Sequence, residues 1–590
     1  MDNFVSKTRA AGHKSGATTK EREREYKGVY HANGDRLFCT SCNLVVDHSR
    51  KTTLDRHLKS TKHLKRCSEI NCEKTPKKQH TIPTTLRNQT VAEQSRIKTT
   101  HDWVEALVSA NVPLIKSDHP RVRGFLNNHV TNGGSIPGYN QLQDQYMPSV
   151  FECEKQKLID LLMDKKIAVI FDEMSDDEGR FVLNILFAPL EVDSNNRIIA
   201  YLADTVFLQA TNHSTVGQAV VKTLQDYNIR FENVLIIDTD NAAYMIKCFK
   251  SILHGLLPNA VHVTCLAHIL NLVGEAFRKP FDCVNTYIRK FNAQFYNAGS
   301  RKGRFVRHIK SKDPAAGMVP NPCATRWNSW FEAVKYHAKY FEHMKEFVRD
   351  EMKICGKTAP DSVKYLHDIF SSEAQLQQLQ EEIHLIAEIC QPIIATLNTF
   401  QSRLPIAVSA YESLEELQMY FATIEQTSEN VRVKEAATNC QDKLSKYMDG
   451  QDCAQPGIAY MKACRIFNPR NCGILPKDPM QFSAIPLMHT VPRAEFDLYM
   501  NILGPQFVST NQDLDSITFW KSIQHRVPAL ADVAKACVCS VLNSADAERS
   551  NSIYNIVFDE RRRSLLPRTL KQLVFIYYNQ RVTCGVLDQE

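Results

Sequence analysis

At 590 residues the chain is too long for one core, and at about 100–200 residues per domain three or four units are expected. Its 43% hydrophobic and 23% charged residues are globular values and exclude a mostly disordered, collagen-like or membrane-embedded chain. No run approaches the ~18 apolar residues that span a bilayer, and Met1-Asp2-Asn3 lacks the basic-then-apolar pattern of a signal peptide. A nuclear or cytosolic protein with no membrane partner and mostly reduced thiols among its 18 cysteines is expected.

The net charge of +7 is unevenly placed: residues 1–100 hold 21 Lys and Arg against 10 Asp and Glu, and the remainder is slightly acidic. Residues 1–30 read as a disordered basic tail. A basic module on a near-neutral body fits double-stranded DNA, whose phosphates it would neutralise, although a solvated tail gives the same count.

Residues 31–66 carry Cys39-x2-Cys42 and His57-x5-His63, with fourteen residues between the pairs. Zinc takes four such ligands in a tetrahedron, so a structural Zn site on a hairpin and a helix starting near Ser49 or Thr52 is predicted. Phe38, Leu54 and Leu58 are the expected core of this unit, and His48 is a surface residue. Arg50, Lys51, Arg56 and Lys59, with Lys62, are candidate DNA contacts on or beside the helix. The pattern resembles the BED-type zinc finger of transposases and their derivatives.

Residues 67–96 read as a basic linker in which Lys77-Lys78, following Lys65-Arg66, makes a possible nuclear-import signal. In residues 97–160, Trp103, Val104, Leu107, Val108 and Val112 fall at helical spacing, and Asn132-Gly133-Gly134 with Pro137 marks a turn. A small helical DNA-binding or dimerisation domain is expected there. The stretches LFCTSCN, HLKS, SDHP and NGGSIP resemble the CGG triplet-repeat-binding family.

From residue 161 the texture becomes an α/β core, with its first part over 161–275. Strands are predicted at 166–171, 181–188, 197–208, 234–237 and 261–264, with helices at 214–227 and from Asn241. The β-β-β-α-β-α-β order is the ribonuclease-H-like arrangement, in which the first and fourth strands are neighbours and present Asp172 and Asp240 together. Strand-end Asp residues also cap helices. Paired carboxylates at adjacent strand ends instead favour Mg²⁺ or Mn²⁺ and phosphodiester chemistry. Residues 276–480 read as a large all-helical insertion, and 481–590 as a helical C-terminus that completes the core.

TDNAAYM (239–245), CLAHILNL (265–272), TRWNSW (325–330), AERS and DERRRSL resemble, in order, the motifs of hAT-superfamily transposases. That resemblance implies a multidomain α+β protein with a D-D-E set of Asp172, Asp240 and Glu548 holding catalytic magnesium or manganese. It implies DNA contacts from Cys265, His268, Arg326 and Trp327, the last as a stacking platform. It also implies self-association through residues 481–590. Two departures stand out: DEMSDDEGR lacks the Trp that usually follows the first Asp, and Asn551 replaces a Phe near Glu548. Eight Lys/Arg and no acid occupy residues 289–312, a further candidate DNA surface. Two functions follow: a nuclear transposase that cleaves and joins DNA strands, or a captured transposase acting as a CGG-repeat-binding-like regulator of RNA polymerase II transcription without nuclease activity.

Overall fold

The computed structural model describes residues 17–71, 82–323, 328–448, 457–470, 475–503 and 515–585. The chain divides into two compact units, one of residues 1–161 with 553–590 and the other of residues 162–552.

In the first unit, α1 (Thr19–Glu25) opens with a capping box between Thr18 and Glu21. It lies inside the stretch expected to be a disordered tail. Arg22 bonds Glu25, Glu25 pairs with Lys51, and Tyr26 donates to Asp55 at 2.6 Å, so local charge pairs order a segment whose composition alone reads as disordered. Strands β1 (Tyr30–Asn33), β2 (Arg36–Cys39) and β3 (Val45–Val46) form an antiparallel sheet. Its first turn uses Gly34 at φ +59, which a side chain would resist. Helices α2 (Lys51–Leu58) and α3 (Thr61–Asn71) follow.

Part of the expected linker is helical: α3 runs to Asn71 and α4 spans Ile82–Ser109, while Lys77-Lys78 lies outside the described residues. In α4, Val104 and Val108 are buried and Trp103 donates to Ser117 at 2.9 Å. After α5 (Pro120–His129), Asn132 takes φ +64 and Gly133 sits so close to Leu126 that a Cβ would meet its carbonyl oxygen at 1.9 Å. The NGGSIP turn is therefore a packing requirement as well as a bend. Helix α6 spans Met147–Leu162.

The C-terminal helix (Pro567–Thr583) belongs to this unit. Phe575 packs edge-on against Phe151 at 4.9 Å, and Gln580 donates to Glu105 and Glu154 at 3.1 and 2.9 Å. The expected 481–590 region is thus divided, with residues 553–590 joining the amino-terminal unit.

The second unit is built on a five-stranded sheet of β4 (Ile167–Ser175), β5 (Phe181–Pro189), β6 (Tyr201–Leu208), β7 (Val234–Thr239) and β8 (Val261–Thr264), ordered β6-β5-β4-β7-β8. The first and fourth strands are parallel neighbours, as expected. Ile167–Phe171 is buried throughout, as an inner strand covered on both faces requires. Antiparallel pairing with β5 carries β4 on to Ser175, so Asp172 lies within the strand instead of at its end. Asp193 accepts from the backbone and guanidinium of Arg197, closing a turn, and the third strand starts at Tyr201, four residues after the expected 197.

Helices α7 (His213–Asp226), α8 (Ala243–Cys248) and α9 (Leu266–Arg278) flank the sheet. From α10 (Asp282–Ala293), α11 (Gly299–Lys312) and α12 (Ser329–Cys355) to Cys464, the described residues hold helices and no strand. Helix α13 (Ala545–Val557) carries Glu548. Among the described residues, no single helix is long and apolar enough to cross a membrane.

Candidate functional site

The amino-terminal site begins with a turn. Cys39 ends β2, its carbonyl accepts from Asn43 at 2.7 Å, and Asn43 adopts φ +51, folding Cys42 back beside Cys39. His57 lies on α2 and His63 on α3, because the chain breaks helix at Lys59-Ser60. Ser60 Oγ donates to the His57 carbonyl and accepts from His63 N–H, bridging the two helices. One continuous helix for both histidines, as expected from spacing, is replaced by this two-helix corner.

The ligand atoms of Cys39, Cys42, His57 and His63 all lie within 4.8 Å of one another, a group able to bind zinc. His63 Nδ1 is 3.4 and 3.2 Å from the sulfurs of Cys39 and Cys42, while buried His57 Nε2 has no hydrogen-bond partner. An orphaned imidazole nitrogen facing two thiols fits a cation. The hydrogen bond from Cys42, with help from His57, pulls Cys39 down to about 4, and the same bond and burial push Cys42 up.

Packing beneath the site comes from Tyr30, Leu37, Val46 and Leu54, with Leu58 at the edge. Phe38 is not part of this core. Strand alternation turns it away from Leu37, and it stacks on His31 at 5.3 Å. Arg50, Lys51, Arg56 and Lys59 are exposed on or next to α2, with Lys51 paired to Glu25.

In the second unit, the last β4–β7 pair is Ile170 with Asp238. Two residues further on each chain come Asp172 and Asp240, on the same face. Asp172 is buried; Asp240 and Glu548 are half-buried. Burial, then the charges of Glu548 and Asp240, raises Asp172 to about 8. Burial also raises Asp240 and Glu548, opposed at Glu548 by His268 and by its hydrogen bond with Asp172. Among the described residues these carboxylates do not draw together within 4.8 Å, as the finger's ligands do. Asp238 sits one step deeper, fully buried, with neither oxygen hydrogen-bonded, and burial holds it well above the usual carboxylate range.

Cys265 and His268 tie the Glu548 helix to the sheet. Cys265 is buried and its sulfur accepts from Ser544 N–H at 3.2 Å, so its side chain is a structural post and not a surface contact for DNA. His268 Nδ1 lies 3.4 Å from Ser544 Oγ and Nε2 lies 3.5 Å from Glu548.

Two features escape a reading by motif. Asn551 donates to Asp172 Oδ2 at 2.9 Å and accepts from Asn184 at 2.8 Å, and Asn184 accepts from Thr205 at 2.8 Å. The residue that removes an apolar contact therefore ends a buried polar relay. The second is Asp546, two residues before Glu548, which is clamped by Arg403 and Arg549.

Arg326 and Trp327 lie outside the described residues. Within the basic run, Arg301 and Arg304 are committed to buried Glu351, so part of that charge is structural. Arg289 and Lys302 line a cleft of about 840 Å³ with exposed Tyr296 and buried Trp330.

Residues 13–69 match the CGGBP1 N-terminal domain, 90–149 the CGGBP1 helical domain, and 497–580 the hAT family C-terminal dimerisation region. Over 162 residues the chain is 40% identical to CGG triplet repeat-binding protein 1 of Homo sapiens, covering 27% of this chain and 97% of that protein. The Mus musculus protein gives the same identity and coverage. A putative transcriptional regulator, tpeD, of Talaromyces stipitatus is 23% identical over 606 residues, covering 90% of this chain and 68% of its own. The chain belongs to the family of CGG triplet repeat-binding protein 1 through its amino-terminal residues, and residues 497–580 are similar to the hAT family C-terminal dimerisation region.

Proposed function

We propose that this is a nuclear, self-associating DNA-binding protein whose BED-like zinc finger delivers an hAT-transposase-type core to DNA. The finger's four ligands would hold zinc, which fixes the hairpin against α2 and α3. Exposed Arg50, Lys51, Arg56 and Lys59 would then neutralise phosphates. This reading is supported by the similarity to the CGG triplet repeat-binding protein, and self-association by the hAT dimerisation match.

In the second unit we read the sheet as ribonuclease-H-like and Asp172, Asp240 and Glu548 as the residues that would hold magnesium or manganese. The supporting observation is Asp172, raised to about 8 by burial and by two neighbouring carboxylates, an arrangement that a divalent cation would relieve. A bound ion would supply charge stabilisation and activate water for phosphodiester cleavage and strand transfer. His268 restrains Glu548, and Asn551 orients Asp172 through its Oδ2. Glu548→Gln should abolish Mn²⁺-dependent cleavage of DNA ends that the protein binds, with binding unchanged. Equal inertness of wild type and mutant on those ends would overturn the nuclease.

A second reading is a regulator of RNA polymerase II transcription that binds DNA without cutting it. Asn551 favours it, because an amide already occupies one oxygen of Asp172. The similarity to a putative transcriptional regulator over 90% of the chain favours it too.

A further inference from the structure

His63 presents two nitrogens to two different sulfur environments. Nδ1 faces Cys39 and Cys42, and Nε2 lies 3.2 Å from the sulfur of Cys67. Cys67 is four residues along α3 from His63, one turn on the same helix face, so the helix itself delivers the thiol to the back of the ring. A neutral imidazole that binds metal through Nδ1 carries its proton on Nε2, and that proton needs an acceptor. Cys67 is half-buried and beside it Arg66 is held by the carbonyls of Gly134 and Ile136, which anchors this turn of α3. The sequence pattern of four ligands gives Cys67 no part.

We propose that Cys67 is a positioning residue of the finger's metal centre: its sulfur accepts the Nε2–H of His63 and fixes the tautomer that turns Nδ1 to the metal. This rests on the zinc reading above and adds a residue to it. Loss of the acceptor leaves the four ligands in place but frees the ring to rotate and removes the polarisation that strengthens Nδ1 as a donor. Outer partners of this kind typically change metal affinity by about 10–100-fold.

The test uses the full chain, with Co²⁺ as the spectroscopic probe and Zn²⁺ competing against a chelator. Cys67→Ala should bind Co²⁺ and Zn²⁺ about 10–100-fold more weakly while keeping the band positions and thiolate-to-cobalt intensity of wild type. Cys67→Ser, whose oxygen also accepts, should recover part of the loss. Affinity equal to wild type in Cys67→Ala would overturn the proposal. A drop of about one third in thiolate-to-cobalt intensity would also overturn it, because Cys67 would then be a ligand itself. Cys39→Ser separates the two readings: if it leaves the cobalt spectrum unchanged, the zinc site itself is wrong and the Cys67 role falls with it. Should Cys67→Ala fail to fold, Cys67→Ser decides alone: near-wild-type affinity with an unchanged spectrum supports the acceptor role, and reduced charge-transfer intensity overturns it.

Discussion

Arg403 donates through Nε and Nη2 to the carboxylate of Asp546, at 2.6 Å for the shorter contact, and both side chains are buried. Asp546 lies two residues before Glu548, so this ion pair sets the first turn of the helix that carries the third acid. Burial works against ionised Asp546, but Arg549 and Arg403 outweigh it and hold the carboxyl below its ordinary range. Removing Arg403 leaves buried Asp546 to Arg549 alone, a weaker compensation. Arg403→Ala should cost about 3–5 kcal/mol, whereas replacing both partners by apolar residues (Arg403→Met with Asp546→Leu) should recover most of it. Denaturant unfolding of the two variants decides this, and equal losses would refute the clamp. Because the pKa of Asp546 is depressed, its contribution is present above about pH 4 and is lost as pH falls further.

The relay Thr205–Asn184–Asn551–Asp172 makes a separate prediction. Each amide is buried and spends its donor on the next acceptor. Asn551→Leu leaves Asn184 and Asp172 each short of a partner and should destabilise by about 1–3 kcal/mol. Combining it with Asn184→Leu and Thr205→Val should cost less than the single changes summed, since the orphaned groups disappear together. Additive losses in denaturant unfolding would mean that the relay carries no coupling.

Much of this fold was legible in advance. The buried run of β4 and the aspartates closing β7 are local patterns, and the strand order follows from them. The Cys and His spacing likewise anticipates the cluster of Cys39, Cys42, His57 and His63 that could bind zinc. What escaped is long-range. Asn551 meets Asn184 across 367 positions and Asp546 meets Arg403 across 143, and no spacing rule reaches that far. The helical corner between His57 and His63 was hidden because Ser60, an ordinary polar residue in sequence, acts only through hydrogen bonds to its neighbours. Phe38 and Leu37 show the finer limit: in a two-face strand a misplacement by one residue exchanges core for surface.

Asp172 predicts a pH and metal signature. Its pKa is raised to about 8, so the ionised form is disfavoured in the folded state. Stability that is full below the unfolded value of about 4 is then lost as pH rises towards 8. Without divalent cations, thermal stability of the second unit should fall between pH 5 and 8. Added Mn²⁺ should restore it most at pH 8, and Asp172→Asn should flatten the profile and abolish the Mn²⁺ effect. An Asp172→Asn profile that tracks wild type would show that another group controls the pH dependence.

The finger separates folding from charge. On the zinc reading the metal would hold a core of only a few residues, including Tyr30, Leu37, Val46 and Leu54, so chelation or Cys39→Ser should unfold residues around it and abolish DNA binding. Arg56 and Lys59 are exposed and lie away from that core, so Arg56→Gln with Lys59→Gln should leave the metal bound and the finger folded. If both contact phosphate, the slope of log binding constant against log salt should become shallower by about 1.8. The loss in affinity should be similar on CGG-rich and unrelated duplexes, since phosphate contacts carry no sequence information. A selective loss on one duplex would instead place these side chains at base edges in the groove, and an unchanged slope would remove α2 from the DNA interface.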